Sequence, residues 1–173
     1  ILRIKGITKA SKKMSRVANE GLVSITENER CTSMIEINCE TDFVAKNKDF
    51  INFCKELSDL NFKCKGDLKK INESKMLNGD LVKDNLVNLI SKIGEKITIR
   101  RASFFDNKIG KNYYYVHSAI EKNIGKIISV VKLEGVVNQE NDKLGLKIDI
   151  FDEKKLKKLG MNTLLGVGQG SKR

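Results

Sequence analysis

The sequence has no proline and no tryptophan, and its 173 residues include a single histidine, His117. It also has no run of about 18 consecutive apolar residues, the length that a membrane-spanning helix requires. The longest apolar stretches, such as residues 127–131, have the length of a strand. Residues 1–6 do not resemble a signal peptide, because no apolar segment follows their charges. The sequence therefore argues against a membrane protein.

Metal ligands are also scarce. The four cysteines are Cys31, Cys39, Cys54 and Cys64, and no two of them have the short CxxC spacing of a zinc ligand pair. With only one histidine available, the sequence argues against a zinc site. We expect reduced, partly buried thiols, as in a cytoplasmic protein.

The formal net charge is +11, which would suit a nucleic-acid partner through neutralisation of phosphates. Lysine and asparagine are abundant along the whole chain, however, and residues 9–16 form the one dense basic block. Aromatic residues make up 6% of the sequence, and the pattern of a single-strand reader, with aromatic side chains for base stacking set into a basic sheet face, is weak. A nucleic-acid-binding domain is therefore an alternative rather than the preferred interpretation.

Alternation of apolar and polar residues predicts the strands. Residues 20–26 and 31–38 alternate around the polar segment 27–30, which predicts a β-hairpin. Further strands are predicted over 96–105, 112–118, 125–133 and 146–151. In the first of these, Arg100 and Arg101 would lie on opposite faces.

Helical spacing predicts the rest of the core. Apolar residues recur at steps of three or four positions, or the sum of the two, from Phe43 to Leu60, which predicts a helix with Thr41 or Asp42 as the N-cap. A second helix is predicted over 81–93, ended by Gly94, and a third over 152–159. Residues 61–80 are poorly patterned and are predicted to be a loop with at most a short helix. The predicted fold class is α+β: an antiparallel sheet with helices packed on one face.

The most informative segment is NCETDFVAKN, residues 38–47, where a predicted strand becomes a helix. Two interpretations are open from the residues alone. In the more ordinary one, Asp42 caps the helix and Phe43 enters the core. In the other, the two side chains project from a rigid corner and contact a partner.

This segment resembles the signature of the elongation factor Ts family. Three further blocks agree in order: LRIKG with ASKK and ANEG near the start, IGEKITIRR at 93–101, and YVH with GKI at 115–117 and 125–127. The resemblance covers about residues 1–135. It implies the fold of that family's core and places this chain among translation elongation factors.

The resemblance implies exchange of GDP for GTP on elongation factor Tu, with no bond chemistry, no metal and no cofactor. The corner residues Thr41, Asp42 and Phe43 would insert beside the GTPase's nucleotide and disturb its magnesium ion, with Val44 and Ala45 packing behind them. His117 is a secondary candidate, although a lone histidine is more often structural. The expected location is the cytoplasm of a bacterium or an organelle, and the oligomeric state stays open.

A different resemblance covers residues 143–173. The run LGMNTLLGVGQGS, residues 159–171, is similar to the leucyl (cytosol) aminopeptidases, ahead of their metal ligands. The predicted organisation is a linker at 1–19 from a missing helical domain, a truncated core at 20–135, and a non-functional fragment at 136–173, loosely attached. Because the chain lacks an initiator methionine, we expect it to begin within a longer protein. An aminopeptidase-like fragment without its metal site is the second alternative function.

Overall fold

The structure, a computed structural model, describes Lys13, residues 15–106 and 110–133, and the backbone of residues 162–167. Within these residues the strands are β1 (Glu20–Glu27), β2 (Cys31–Cys39), β3 (Ile97–Asp106), β4 (Lys111–Glu121), β5 (Ile124–Leu133) and β6 (Asn162–Val167). The helices are α1 (Asp42–Ala45), α2 (Lys48–Cys64), α3 (Leu68–Glu73) and α4 (Val82–Ile93). No helix in this described part of the chain is long and apolar enough to cross a membrane.

The strands form one antiparallel sheet in the order β3-β2-β1-β5-β4, with β6 also paired to β5. Helices pack on one face, which confirms the predicted α+β fold. The buried apolar side chains shared between this face and the helices include Leu22, Ile35, Ile37, Phe50, Phe53, Leu57 and Ile71. Each fully buried side chain of this size stabilises the fold by about 1.5–3 kcal/mol.

The opposite face of β1 and β2 is also covered. β5 pairs with β1 at only two positions, and its Ile128 and Val130 then pack on Val23, Ile25 and Met34. Both faces of the β1–β2 hairpin are therefore buried, and only the first residue of β2 is partly exposed. The predicted hairpin is confirmed, and its two strands are the central support of the fold.

The prediction of one continuous helix from Phe43 to Leu60 is wrong. The chain leaves the helical conformation at Asn47, whose side-chain oxygen accepts hydrogen bonds from the backbone N–H groups of Asp49 (2.9 Å) and Phe50 (3.4 Å). An asparagine that caps the following helix competes with continuation of the preceding one. The result is a single turn, α1, followed by the long helix α2.

Residues 61–80 are more ordered than predicted. α2 continues to Cys64 and ends at Lys65 in a left-handed conformation. Asp67 then caps α3 by accepting from the backbone N–H groups of Lys69 and Lys70. The helix predicted over 81–93 is confirmed as α4, and Gly94 ends it with φ 90°.

The strands that follow α4 are confirmed, with one correction inside β3. The pairing register shifts between Glu36 and Ile37, so Arg100 and Arg101 together oppose one residue of β2. As a result both guanidinium groups reach the buried Glu36 carboxylate, Arg100 at 3.2 Å and Arg101 in closer contact. The prediction that they lie on opposite faces is wrong because it assumed an unbroken strand.

The C-terminal predictions are tested only in part. The strand predicted over 146–151 and the helix predicted over 152–159 lie outside the described residues. Residues 162–167, which belong to the segment predicted to be loosely attached, form β6 and pair along β5 from Ile127 to Lys132. Beyond its short contact with β1, that edge of β5 would otherwise expose unpaired N–H and C=O groups.

The burial of the thiols predicts their reactivity. Cys39 and Cys54 are buried, whereas Cys31 and Cys64 are partly exposed. Burial, aided by the Glu95 carboxylate, raises the pKa of Cys39 to about 12, and burial raises the pKa of Cys54 well above its usual value. Because the thiolate is the reactive form, native protein at neutral pH should react with iodoacetamide at Cys31 and Cys64 while Cys39 and Cys54 are protected.

Peptide mapping by mass spectrometry measures this pattern, with labelling in denaturant as the control in which all four cysteines react. Modification of Cys39 or Cys54 as fast as Cys31 in the native protein would contradict the described burial.

Candidate functional site: the corner between β2 and α1

The candidate site is the β2–α1 corner, defined as residues 41–46. β2 ends at Cys39, Thr41 is extended (φ −126°, ψ 158°), and α1 begins at Asp42. The single turn of α1 reverses the chain before Asn47 starts α2. The corner is therefore held at both ends by elements that contribute to the apolar core, β2 and α2.

Phe43 projects into solvent with 79% of its surface exposed. The interpretation that places Phe43 in the core is therefore wrong. Successive residues of a helix turn by about 100°, and here Val44 (6% exposed) and Ala45 (0%) face the apolar cluster beneath the helices. These two side chains anchor α1, and Phe43 and Asp42 are left on its outer side.

The Asp42 carboxylate also lies on the surface, 2.8 Å from the ammonium group of Lys46. This hydrogen bond lowers the pKa of Asp42 below its usual value and raises that of Lys46. Asp42 is therefore ionised at neutral pH. The corner presents a carboxylate, a phenyl ring and an ammonium group side by side.

Two glutamates fasten the corner to the turn after α4. The Glu95 carboxylate accepts from the Thr41 backbone N–H (3.0 Å) and from the Thr41 hydroxyl (2.8 Å). In return, the Glu40 carboxylate accepts from the Lys96 backbone N–H at 2.6 Å. These bonds lie just past the last pair of the β2–β3 ladder, Cys39 with Ile97. We call this arrangement the reciprocal glutamate brace.

The predicted N-cap is placed correctly but acts differently. Thr41 occupies the cap position of α1, yet its side chain makes no capping hydrogen bond. Its hydroxyl is turned toward Glu95 instead. Asp42 does not cap the helix either, because it is the first residue of α1 and its carboxylate contacts Lys46.

The segment that enters the fold lies against the same brace. The Lys13 ammonium contacts the Gly94 carbonyl, and the Lys96 ammonium donates to the Arg16 carbonyl at 2.7 Å. The Arg16 guanidinium lies 3.4 Å from the Glu40 carboxylate. The described part of the predicted linker is thus held beside the corner.

His117, the secondary candidate, is not brought to the corner. It lies exposed on β4, three strand positions from β2, with its ring 6.3 Å from that of Tyr115. Elsewhere in the described residues, no group of three or more His, Cys, Asp or Glu side chains is placed to hold a metal ion.

Sequence reasoning did not assign roles to Glu40 and Glu95. Both lie inside the motifs quoted above, but the Thr41–Glu95 contact joins residues 54 positions apart. No local pattern pairs Thr41 with Glu95 over that distance. The signal that was available is Gly94, since a left-handed glycine after a helix redirects the residue that follows it.

The family follows from comparison with known proteins. The family model described as Elongation factor TS matches residues 40–161, which include the corner, the brace and the strands β3 to β5. The chain belongs to the elongation factor Ts family. The match extends beyond residue 135, where the resemblance described above ends. The assignment of residues 136–173 to an aminopeptidase-like fragment stays a prediction.

Individual family members show how much of a complete relative this chain represents. It is 39% identical to elongation factor Ts of Gluconobacter oxydans over 133 residues, covering 77% of this chain and 44% of that protein. It is 37% identical to that of Maricaulis maris over 170 residues, covering 98% of this chain and 50% of that protein. The chain therefore spans about half the length of the curated relatives it matches.

Proposed function

We propose that this chain binds elongation factor Tu and promotes the exchange of GDP for GTP. The observation that carries the proposal is the 79% exposure of Phe43 beside the Asp42 carboxylate on a braced corner. Leaving a phenyl ring in water forgoes the favourable free energy of burying it. A partner that covers this ring would recover that free energy, and membership of the elongation factor Ts family supports a translational GTPase as that partner.

The proposed mechanism is displacement without bond chemistry. A P-loop GTPase holds its nucleotide through backbone amides, a lysine and a magnesium ion. The corner would insert beside that site, with Asp42 and Phe43 shifting the groups that hold the magnesium ion and the phosphates. Because linkage is reciprocal, the nucleotide must weaken binding of the corner by the same factor.

The residue roles follow from their placement. Asp42 and Phe43 contact elongation factor Tu. Thr41 is the residue through which Glu95 holds the corner, and Val44 and Ala45 pack behind it. His117 would make a second, separate contact. Under this proposal the protein is an exchange factor rather than an enzyme, needs no cofactor, and acts in the cytoplasm, where translation occurs.

The proposed organisation of the chain is an entering segment at 1–19, a core at 20–135 and a C-terminal segment at 136–173. The exchange role is assigned to the core alone, because it contains the corner, the brace and the sheet that supports them. The C-terminal segment has no role in the proposed mechanism.

A capture experiment tests the proposal. Purified, immobilised chain is incubated with nucleotide-free elongation factor Tu, or with the same GTPase in excess GDP and magnesium. We expect strong capture without nucleotide and much weaker capture with GDP. Equal capture in both conditions, or none in either, would contradict the proposal.

A further inference from the structure

We infer that Glu95 is a positioning residue, which sets the orientation of the β2–α1 corner without touching the partner. The orientation of the corner depends on contacts within this chain and can be measured without a partner. Only the expected effect of Glu95 on nucleotide release rests on the proposed function. Glu95 lies in the turn between α4 and β3, outside the segment 38–47 that contains the corner.

The geometry of the Glu95 carboxylate fixes Thr41 at two atoms. Its two oxygens accept separately from Thr41, one from the backbone N–H at 3.0 Å and the other from the hydroxyl at 2.8 Å. Two hydrogen bonds to one residue fix its side-chain rotamer as well as the direction of its peptide. Hydrogen bonds to an ionised acceptor are also roughly twice as strong as neutral ones.

Glu95 also overrides a local preference of Thr41. A threonine before a helix normally turns its side-chain oxygen toward the free N–H groups of the first turn. Here the Thr41 hydroxyl is held by Glu95, and α1 has no side-chain cap. Without Glu95 the hydroxyl would be available to cap α1, and the first turn, which carries Asp42 and Phe43, would take a different orientation.

The reciprocal glutamate brace lies at the end of the β2–β3 ladder. Ladder pairing between β2 and β3 ends at Cys39 and Ile97, and the chain then departs from the sheet. Glu95 takes the N–H of Thr41, and Glu40 takes the N–H of Lys96. The two side chains thus continue the connection between β2 and β3 just beyond the last pair of the ladder. Of the two glutamates, Glu95 is the one that contacts a residue of the corner, Thr41.

Glu56 provides a matched control. Like Glu95 it is partly exposed, and its carboxylate accepts from a backbone N–H on a neighbouring turn, that of Leu77, at 3.1 Å. Glu56→Ala therefore removes the same number of atoms and the same kind of bond at a place remote from the corner. It separates the effect of position from a general effect on stability.

The test compares the wild-type chain with Glu95→Ala, Glu95→Gln and Glu56→Ala. Amide hydrogen exchange at Thr41, measured by NMR on the chain alone, should become at least about tenfold faster in Glu95→Ala, as the lost protection of a charge-assisted bond implies. Glu95→Gln keeps the shape and one acceptor oxygen, so it should give an intermediate rate. Glu56→Ala should leave Thr41 unchanged.

The second readout is release of a fluorescent GDP analogue from elongation factor Tu. We expect the maximal release rate to fall several-fold in Glu95→Ala, less in Glu95→Gln, and not in Glu56→Ala. If Glu95→Ala does not fold, the comparison of Glu95→Gln with Glu56→Ala decides the question.

Unchanged Thr41 exchange in the Glu95 variants would overturn the positioning role. So would equal loss of release in Glu95→Ala and Glu56→Ala. If the wild-type chain does not accelerate release at all, the proposed function fails, and the NMR measurement still decides the role of Glu95.

Discussion

Replacing Asp42 and Phe43 together with alanine should reduce stimulated GDP release by about tenfold or more, the effect of losing a buried interface anchor. The fold should be unaffected, because Phe43 is 79% exposed and the Asp42 carboxylate pairs with the exposed Lys46 at the surface. Stopped-flow release of a fluorescent GDP analogue measures the first effect, and urea unfolding measures the second.

Leu77→Ala is the matched control for that variant. Leu77 is 92% exposed on the turn between α3 and α4, so its removal takes a comparable apolar side chain from the surface. We expect release to be nearly unchanged in this variant. Equal release rates for the Asp42/Phe43 double variant and Leu77→Ala would mean that the corner is not the contact.

Gly21→Ala should destabilise the fold by about 3 kcal/mol. Gly21 faces Asn38 across the β1–β2 ladder with φ 153°, a conformation that side chains rarely adopt. A Cβ atom there would lie 2.2 Å from the Ile37 carbonyl oxygen and 2.8 Å from the Asn38 Cα. Both of those atoms belong to the backbone, so the hairpin itself would have to separate.

Gly79→Ala is the control that separates the destabilisation caused by the steric clash from that caused by the backbone conformation. Gly79 also has a positive φ, 86°, but a Cβ added there meets nothing within 4 Å. Its loss of stability should therefore be only about 1–2 kcal/mol, the cost of the conformation alone. Urea unfolding midpoints of the two variants measure the difference. A Gly21→Ala midpoint no lower than that of Gly79→Ala would show that the hairpin tolerates the added atom.

The predictions that succeeded rest on local patterns. The β1–β2 hairpin follows from alternation around a polar turn, and α4 follows from helical spacing ended by Gly94. In both cases the residues that decide the structure are neighbours in the sequence. The continuity of the first helix could not be predicted in the same way, because Asn47 is compatible with both continuation and capping, and packing selects between them.

The exposure of Phe43 shows the limit of periodicity as a guide to function. An aromatic residue at helical spacing normally enters the core, and the anchoring of α1 by Val44 and Ala45 becomes visible only in three dimensions. The family resemblance, rather than the spacing, singled out the corner. Its support by Glu95 could not be predicted from either, because it depends on a contact between segments far apart in the chain.

Three properties of the corner act together. Val44 and Ala45 fix α1 to the core, Glu95 fixes the peptide that precedes α1, and Phe43 and Asp42 are thereby held outward. A contact that is already ordered loses less conformational entropy on binding. Under the proposed function, the free energy gained on covering Phe43 would then be available to displace a nucleotide rather than to order the corner.

The central claim is tested most directly by the rate of GDP release from elongation factor Tu at increasing concentrations of the chain, followed with a fluorescent GDP analogue. We expect a rate constant that rises with concentration and approaches a plateau, together with weaker binding of the chain when free GDP is added. A rate constant that stays at its spontaneous value, at concentrations where the chain is bound to the GTPase, would contradict it.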